Sequence, residues 1–253
     1  MKRVFSLLLV LAMTCCLFVS CSSTPEEVID KADAALLAAP YQMTVSMNFS
    51  SDNEELNEVL SYINLTMPIV IDGENMSMQT STEVMGEPLT VLMSVVDRTM
   101  YVSSSMQGIY AKMKCPLSDE QYKETTEDAF ESVPLSTEDF ETLTIKTEDG
   151  RQIVTCEGLS ATGQAKLQDL IGDKLGDVAV DIGVSNVSFS LSLKDDKYEK
   201  MTLGCTYTMT VEEQTCTFTM QLNADFAYDG IAAVTAPADA DSYRTVDFSE
   251  ING

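Results

Sequence analysis

Histidine and tryptophan are absent from the 253 residues. Without histidine there is no Ser-His or Cys-His catalytic pair, and the commonest protein ligand of transition metals is missing. No Gly-rich phosphate loop is present either. Positive charge is scarce, with fifteen Lys+Arg against forty Asp+Glu and a net charge of −25. A surface this acidic repels phosphate backbones and anionic headgroups, which argues against nucleic acid as a partner. Beyond residue 20 no apolar run is long enough for a spanning helix. At the same time the 45% hydrophobic content excludes wholesale disorder.

Apolar residues are concentrated first at the N-terminus. Met1-Lys2-Arg3 is a short basic stretch, and Val4 to Val19 is almost wholly apolar. That run is too short to cross a bilayer comfortably and reads as an export signal over residues 1–20. It ends Leu17-Phe18-Val19-Ser20-Cys21-Ser22-Ser23, a small residue followed directly by cysteine. This resembles the lipobox of bacterial lipoproteins, with Phe18 where that family usually has Leu. The resemblance implies that Cys21 carries a diacylglyceryl group and becomes the first residue of the mature chain. Two acyl chains hold a protein on a membrane where one does not. The expected place is therefore the extracytoplasmic face of the cell membrane, lipid-anchored. Removal of the leader leaves thirteen cations against the same forty acids, a net charge of −27. Only Ser22-Ser23-Thr24 separates Cys21 from a helix start, a reach of about 13 Å, which keeps the domain close to the bilayer.

Thr24-Pro25-Glu26-Glu27 is a helix N-terminus with Thr as N-cap, Pro in the first turn and Glu in capping-box position. Val28, Ile29, Ala32 and Leu36 form its apolar stripe, and Pro40 stops it. Tyr41 to Phe49 then alternates as a half-buried strand. A second amphipathic helix is expected over Asn53–Ile63. Strands follow near 65–71, 76–83, 89–96 and 99–105, within a meander reaching Met113 and punctuated by turn-forming residues. Ser118, with Gln121 three residues on, caps a helix expected to continue to Ser132. Thr142–Thr147 and Arg151–Glu157 flank Glu148-Asp149-Gly150, a hairpin signal. A further helix is expected from Thr162 to Leu175. In the last third, strands run through Val187–Leu193, Met201–Val211 and Cys216–Phe226. A turn at Glu212-Glu213 sets Met209 opposite Cys216, Tyr207 opposite Phe218, Cys205 opposite Met220 and Leu203 opposite Leu222. A slip of one residue would destroy that match of apolar faces. Residues 21–253 thus read as one domain, with two similar helix-then-strands halves meeting near residue 135 as the other organisation.

Four cysteines remain in the body besides Cys21. Cys205 and Cys216 share a face but lie four rungs apart, about 13 Å along the hairpin, too far for a disulfide. Cys156 falls opposite Leu143 on an inward face. Most of these thiols read as small core hydrophobes, and a Cys115–Cys156 bridge stays open. Without any Cys-x-x-Cys spacing they do not make a metal site. The acidic pairs sit at helix starts and turns and lack EF-hand spacing. No metal, cofactor or enzymatic activity is predicted.

A cysteine-ended leader and one capped helix precede long antiparallel meanders, Asp72-Gly73-Glu74-Asn75-Met76-Ser77-Met78, Met100-Tyr101-Val102 and a closing 235–243 segment. Together these resemble surface lipoproteins of Gram-positive, clostridia-like bacteria, similar in architecture to the LolA/LppX-type half-barrel lipoproteins. The resemblance implies an α+β fold in which a strongly curved antiparallel β-sheet, an unclosed barrel, holds helices on its concave face. It also implies that acyl chains ride between sheet and helices.

Methionine is over-used on surfaces that accept greasy ligands loosely. The expected apolar lining is Met43, Met47, Phe49, Met76, Met78, Met93, Phe189, Leu191, Leu203, Met209, Phe218 and Met220. The leading expectation is a membrane-anchored lipoprotein that binds or carries a lipid or other apolar molecule, with Cys21 its lipid-attachment site. The alternative is a surface interaction or envelope-structural lipoprotein with a solid core and no small-molecule ligand.

Overall fold

The computed structural model describes residues 24–61, 65–84, 87–126, 137–175, 181–211 and 214–252. The leader, Cys21, the last residues of the second and third expected helices, the Glu212-Glu213 turn and the junction near 135 lie outside them. Twelve strands form one open, curved sheet in an α+β fold. They are β1 (Tyr41–Ser51), β2 (Leu65–Asp72), β3 (Asn75–Val84), β4 (Glu87–Val96), β5 (Thr99–Met106) and β6 (Ile109–Pro116), then β7 (Leu143–Glu148), β8 (Arg151–Glu157), β9 (Asp181–Lys194), β10 (Lys197–Val211), β11 (Gln214–Ala227) and β12 (Arg244–Thr245). The spatial order is β12-β6-β5-β4-β3-β2-β1-β11-β10-β9-β8-β7. Two meanders therefore join side by side through β1 and β11, which pair from Gln42↔Ala227 to Ser51↔Phe218.

The hairpin between β10 and β11 has the expected register at every pair from Val211↔Gln214 to Leu203↔Leu222. Leu143 stands opposite Cys156, also as expected. The Asp149-Gly150 turn takes positive φ at both residues (50° and 75°), the geometry that matches the twist of the flanking strands. The expected four-strand meander is longer by one: Ile109, Ala111, Met113 and Cys115 alternate inward on β6 behind a Gln107-Gly108 turn. Bulges supply local bending. Asn186 is the extra residue on β9, in left-handed backbone, where the register with β10 shifts between Gly204 and Thr206. A second shift between Tyr198 and Lys200 lets Tyr198 and Met201 both point inward.

Helix α1 (Pro25–Ala38) starts with the capping box read from its sequence: the Thr24 hydroxyl accepts from the Glu27 amide, and the Glu27 carboxylate from the Thr24 amide. Its Val28 and Ala32 are buried against Val154, Leu191, Leu193 and Tyr198 of β8–β10. Helix α2 (Glu54–Ser61) is capped by Asn53, and Asn57 clamps the backbone of Ser51 through both its amide groups, at 2.6 and 2.7 Å. Helix α3 (Asp119–Thr126) has the reciprocal Ser118–Gln121 cap and lays Tyr122 against the cluster under β2–β6. Helix α4 (Ala161–Leu175) buries Leu167 with Leu159, Val187 and Cys205. It sits so close to the 3-10 turn Thr137–Asp139 that a Cβ on Gly163 would lie 2.2 Å from the Asp139 carbonyl oxygen. Lys166 holds the buried Asp139 carboxylate there at 2.7 Å.

The last residues do more than end the chain. Val234 donates its amide to Asp72, Lys112 pairs with Asp239, and Lys114 reaches the Ala240 carbonyl. Tyr243 packs edge-on against Tyr101 on the outer face, and β12 then covers the edge of β6 in parallel. A short helix α5 (Ser249–Asn252) follows, with Val246 and Phe248 on the cluster under β6.

Candidate apolar site

Residues opposite one another in an antiparallel ladder share a face, so the registers settle which side chains stand together. One transverse row reads Phe226, Met43, Ile69, Met78, Met93, Val102 and Met113, across β11 and β1–β6. The row on one side is Tyr41, Ile71, Met76, Val95, Met100 and Cys115. In the other half, Phe49 is opposite Met220, which is opposite Cys205, while Met47 is opposite Leu222, which is opposite Leu203. Leu203 in turn faces Phe189, and Met201 faces Leu191. Phe218 and Met209 continue the same face beside Tyr207 and Cys216. All twelve expected lining residues therefore fall on a single side of the sheet, the side that carries α1, α3 and α4.

Burial divides them. Met76 and Leu191 are packed core, 3% and 4% exposed, so neither lines an accessible surface. Phe189 stacks on Phe140 at 5.3 Å, and Phe218 on Tyr207 at 5.1 Å. Leu203 and Met220 pack onto the cluster beneath α4. Met43, Met47, Phe49, Met78, Met93 and Met209 are half-buried. Along β2–β6 exposure grows from one end of the strands to the other. Val95, Met100 and Cys115 are sealed, Met93, Val102 and Met113 are half-buried, and Met106 and Ile109 at the far turn are 37% and 73% exposed. The inner face is thus roofed at one end by α3 and the C-terminal segment and opens toward the other.

Polar chemistry on this face is sparse. Tyr198 donates its hydroxyl to Asp33 of α1 at 2.7 Å, and burial together with that bond pushes its ionisation well above the ordinary tyrosine range. Burial likewise raises Tyr41, Tyr207 and the Cys205 thiol. Cys115 is also raised by burial and by the nearby Asp247 carboxylate. No disulfide joins Cys115 to Cys156. The strands carrying them lie near opposite ends of the sheet order, and the Cys156 thiol donates to the Gly158 carbonyl. Among the described residues no cluster of His, Cys, Asp or Glu could hold a metal, and no helix is long and apolar enough to cross a membrane.

A notch of about 540 Å³ lies between Cys115-Pro116, Gln121 and the 245–249 segment. None of the twelve expected residues lines it. The sequence reading missed three features: the wrap of 228–248 over the outer face and the β6 edge that brings Val246 and Phe248 onto the inner cluster, the Tyr198–Asp33 tie, and a split between β2 and β3. The strand β6 carried a signal of its own, since Ile109, Ala111, Met113 and Cys115 alternate with Tyr110, Lys112 and Lys114.

No curated protein matches this chain. Among solved structures, the ywiB protein from Bacillus subtilis aligns over 75% of this chain and 92% of its own, at 10% identity and a TM-score of 0.19. Residues 24–243 match the model of DUF6612, a family of unknown function, and the chain belongs to that family.

Proposed function

We propose that this chain is a membrane-anchored, extracytoplasmic lipoprotein of the LolA/LppX-type half-barrel kind that binds or carries a lipid or another apolar molecule and is not an enzyme. The observation that supports the reading is the half-exposed inner face of β1–β6. There Met43, Met47, Met67, Met78, Met93 and Met113 offer deformable apolar surface at one end of the sheet while core packing closes the other. Each methylene of an acyl chain removed from water contributes about 0.8 kcal/mol, so ten or more offset the cost of ordering a chain there. Cys21 would hold the domain near the bilayer through its diacylglyceryl group. Delipidated, refolded protein should bind an uncharged fluorescent acyl-chain analogue with a saturable curve. A linear, non-saturating response would reject the carrier.

One observation favours the second reading, a surface interaction protein. Ile109 and Tyr110, at the tip of the β5–β6 hairpin, are 73% and 71% exposed. Large apolar side chains grouped at a protruding turn are a common docking feature. If Ile109→Ser with Tyr110→Ser abolishes binding of the unlipidated mature domain to isolated cell envelopes while lipid binding is unchanged, the hairpin serves contact and the two readings concern separate parts of the molecule.

A further inference from the structure

The ladder between β2 and β3 stops halfway. Four pairs join them, from Asp72↔Asn75 to Ile69↔Met78. Beyond these, β2 stays with β1 as far as Leu65↔Met47, and β3 stays with β4 as far as Val84↔Glu87. Among the described residues no pair links Leu65–Pro68 to Gln79–Thr82. Pro68 is the first residue past the last pair, and proline has no N–H to give a ladder. The sheet therefore forks, with Met67 on one lip of the fork and Met78 and Thr80 on the other, on the inner face.

Thr80 is one of three hydroxyl side chains on that face near the fork, with Thr82 two residues further along β3 and Ser104 across Val91. It stands opposite Val91, with Met78 and Met93 in the next row. Its Oγ1 is buried and has no hydrogen-bond partner among the described residues. A buried hydroxyl without a partner costs free energy that a bound acceptor would recover. The serine and threonine hydroxyls of the outer face are differently placed, as Ser81 and Thr90 at 3.3 Å illustrate.

We propose that the fork is the head-group end of the apolar site, and that the Thr80 hydroxyl donates to the carbonyl oxygen of an acyl ester whose chain lies along Met67, Met78 and Met93. This rests on the carrier reading and deepens it by naming the ligand class. The net charge of −25 favours an uncharged ester over a free carboxylate, because an anion would enter against the field of the whole chain. The threonine then selects for polarity at one end of the ligand, and the methionines accept chains of differing shape.

The test is competition against an apolar naphthylamine dye by monododecanoyl glycerol, dodecanoic acid and dodecane, on the full mature chain. Thr80→Val removes the hydroxyl and keeps the shape. The expected result is an ester affinity about five- to ten-fold weaker, dodecane unchanged, and recovery of the ester affinity in Thr80→Ser. Melting temperature reports whether each variant is folded. Ester affinity unchanged in Thr80→Val, with all three ligands binding the wild type, overturns the Thr80 assignment and leaves the carrier standing. A loss confined to dodecanoic acid overturns the choice of an ester. If no ligand displaces the dye from the wild type, the carrier reading itself fails.

Discussion

Leu193 on β9 and Met78 on β3 both point to the helix-bearing side of the sheet, within strands of similar alternation. Leu193 is fully buried beneath α1, together with Val154 and Tyr198, whereas Met78 is half-buried at the edge of the cluster under α3. The difference is not in the strands. It lies in what the chain places over them: the 14-residue α1 and the 15-residue α4 on β8–β10, against the 8-residue α3 and a short C-terminal segment on β2–β6. Alternation specifies which side is inward, and tertiary cover decides whether inward also means dry. Cover is complete over Leu191, Leu193 and Val154, and over Met76 and Met100 at the roofed end of β3 and β5, while Met78 and Met93 one row away are left half-buried.

Truncating one residue in each region measures that contrast. Leu193→Ala should cost about 3 kcal/mol, since a sealed side chain leaves a cavity that α1 cannot collapse into. Met78→Ala should cost about 1 kcal/mol, because water already reaches part of the side chain. Chemical denaturation of both variants supplies the two values. Equal losses would mean that the β2–β6 face is as solidly packed as the other, and the site would lose its physical basis.

The closed region also carries the stronger pH signature. Tyr198 ionises well above its ordinary value in the folded chain, and Tyr41, Tyr207 and Tyr228 move in the same direction through burial. Below pH ~10 these groups are neutral in both folded and unfolded states, so they add no pH dependence. As pH rises past ~10 the unfolded chain releases protons that the folded chain retains, and stability falls. Alkaline unfolding should therefore begin near pH 10. Tyr198→Phe should lose about 1 kcal/mol at neutral pH from the missing bond to Asp33 and show a shallower decline above pH 10. A decline as steep as the wild type's would assign the alkaline loss to other groups.

Much of this architecture was legible in the residues because its signals are local. The Thr24–Glu27 and Ser118–Gln121 boxes, the Asp149-Gly150 turn and the β10–β11 register each depend on residues within a few positions or on one hairpin's alternation. Pairing of β1 with β11 depends on nothing within either strand, and so the joining of the two meanders was not readable. The same holds for the 235–243 segment, whose Asp239 and Tyr243 acquire meaning only beside Lys112 and Tyr101. At the candidate site the inward set was readable and its exposure was not. Met76 and Met78 are two residues apart in one strand, one sealed and the other open, and only α3 and the C-terminal segment distinguish them. The side taken by Thr80 was readable from Met76 and Met78 on the same strand, but the lack of a partner for its hydroxyl was not, because that depends on what β2 and β4 bring beside it.

Pro68 offers the finest distinction between the two regions, since the closed one has no comparable interruption among its described ladders. Pro68→Val restores an N–H at the first position past the last β2–β3 pair. A regained ladder bond contributes about 1 kcal/mol, and the greater freedom of the unfolded chain without proline takes back about 0.5–1 kcal/mol. Stability should accordingly change by less than about 0.5 kcal/mol. The informative readout is hydrogen exchange: amides in Gln79–Thr82 should gain protection as the fork closes, and the naphthylamine dye should enter more slowly. Unaltered protection would mean that the missing donor is not what parts the strands, and that the fork is held by the divergence of β2 toward β1 and of β3 toward β4.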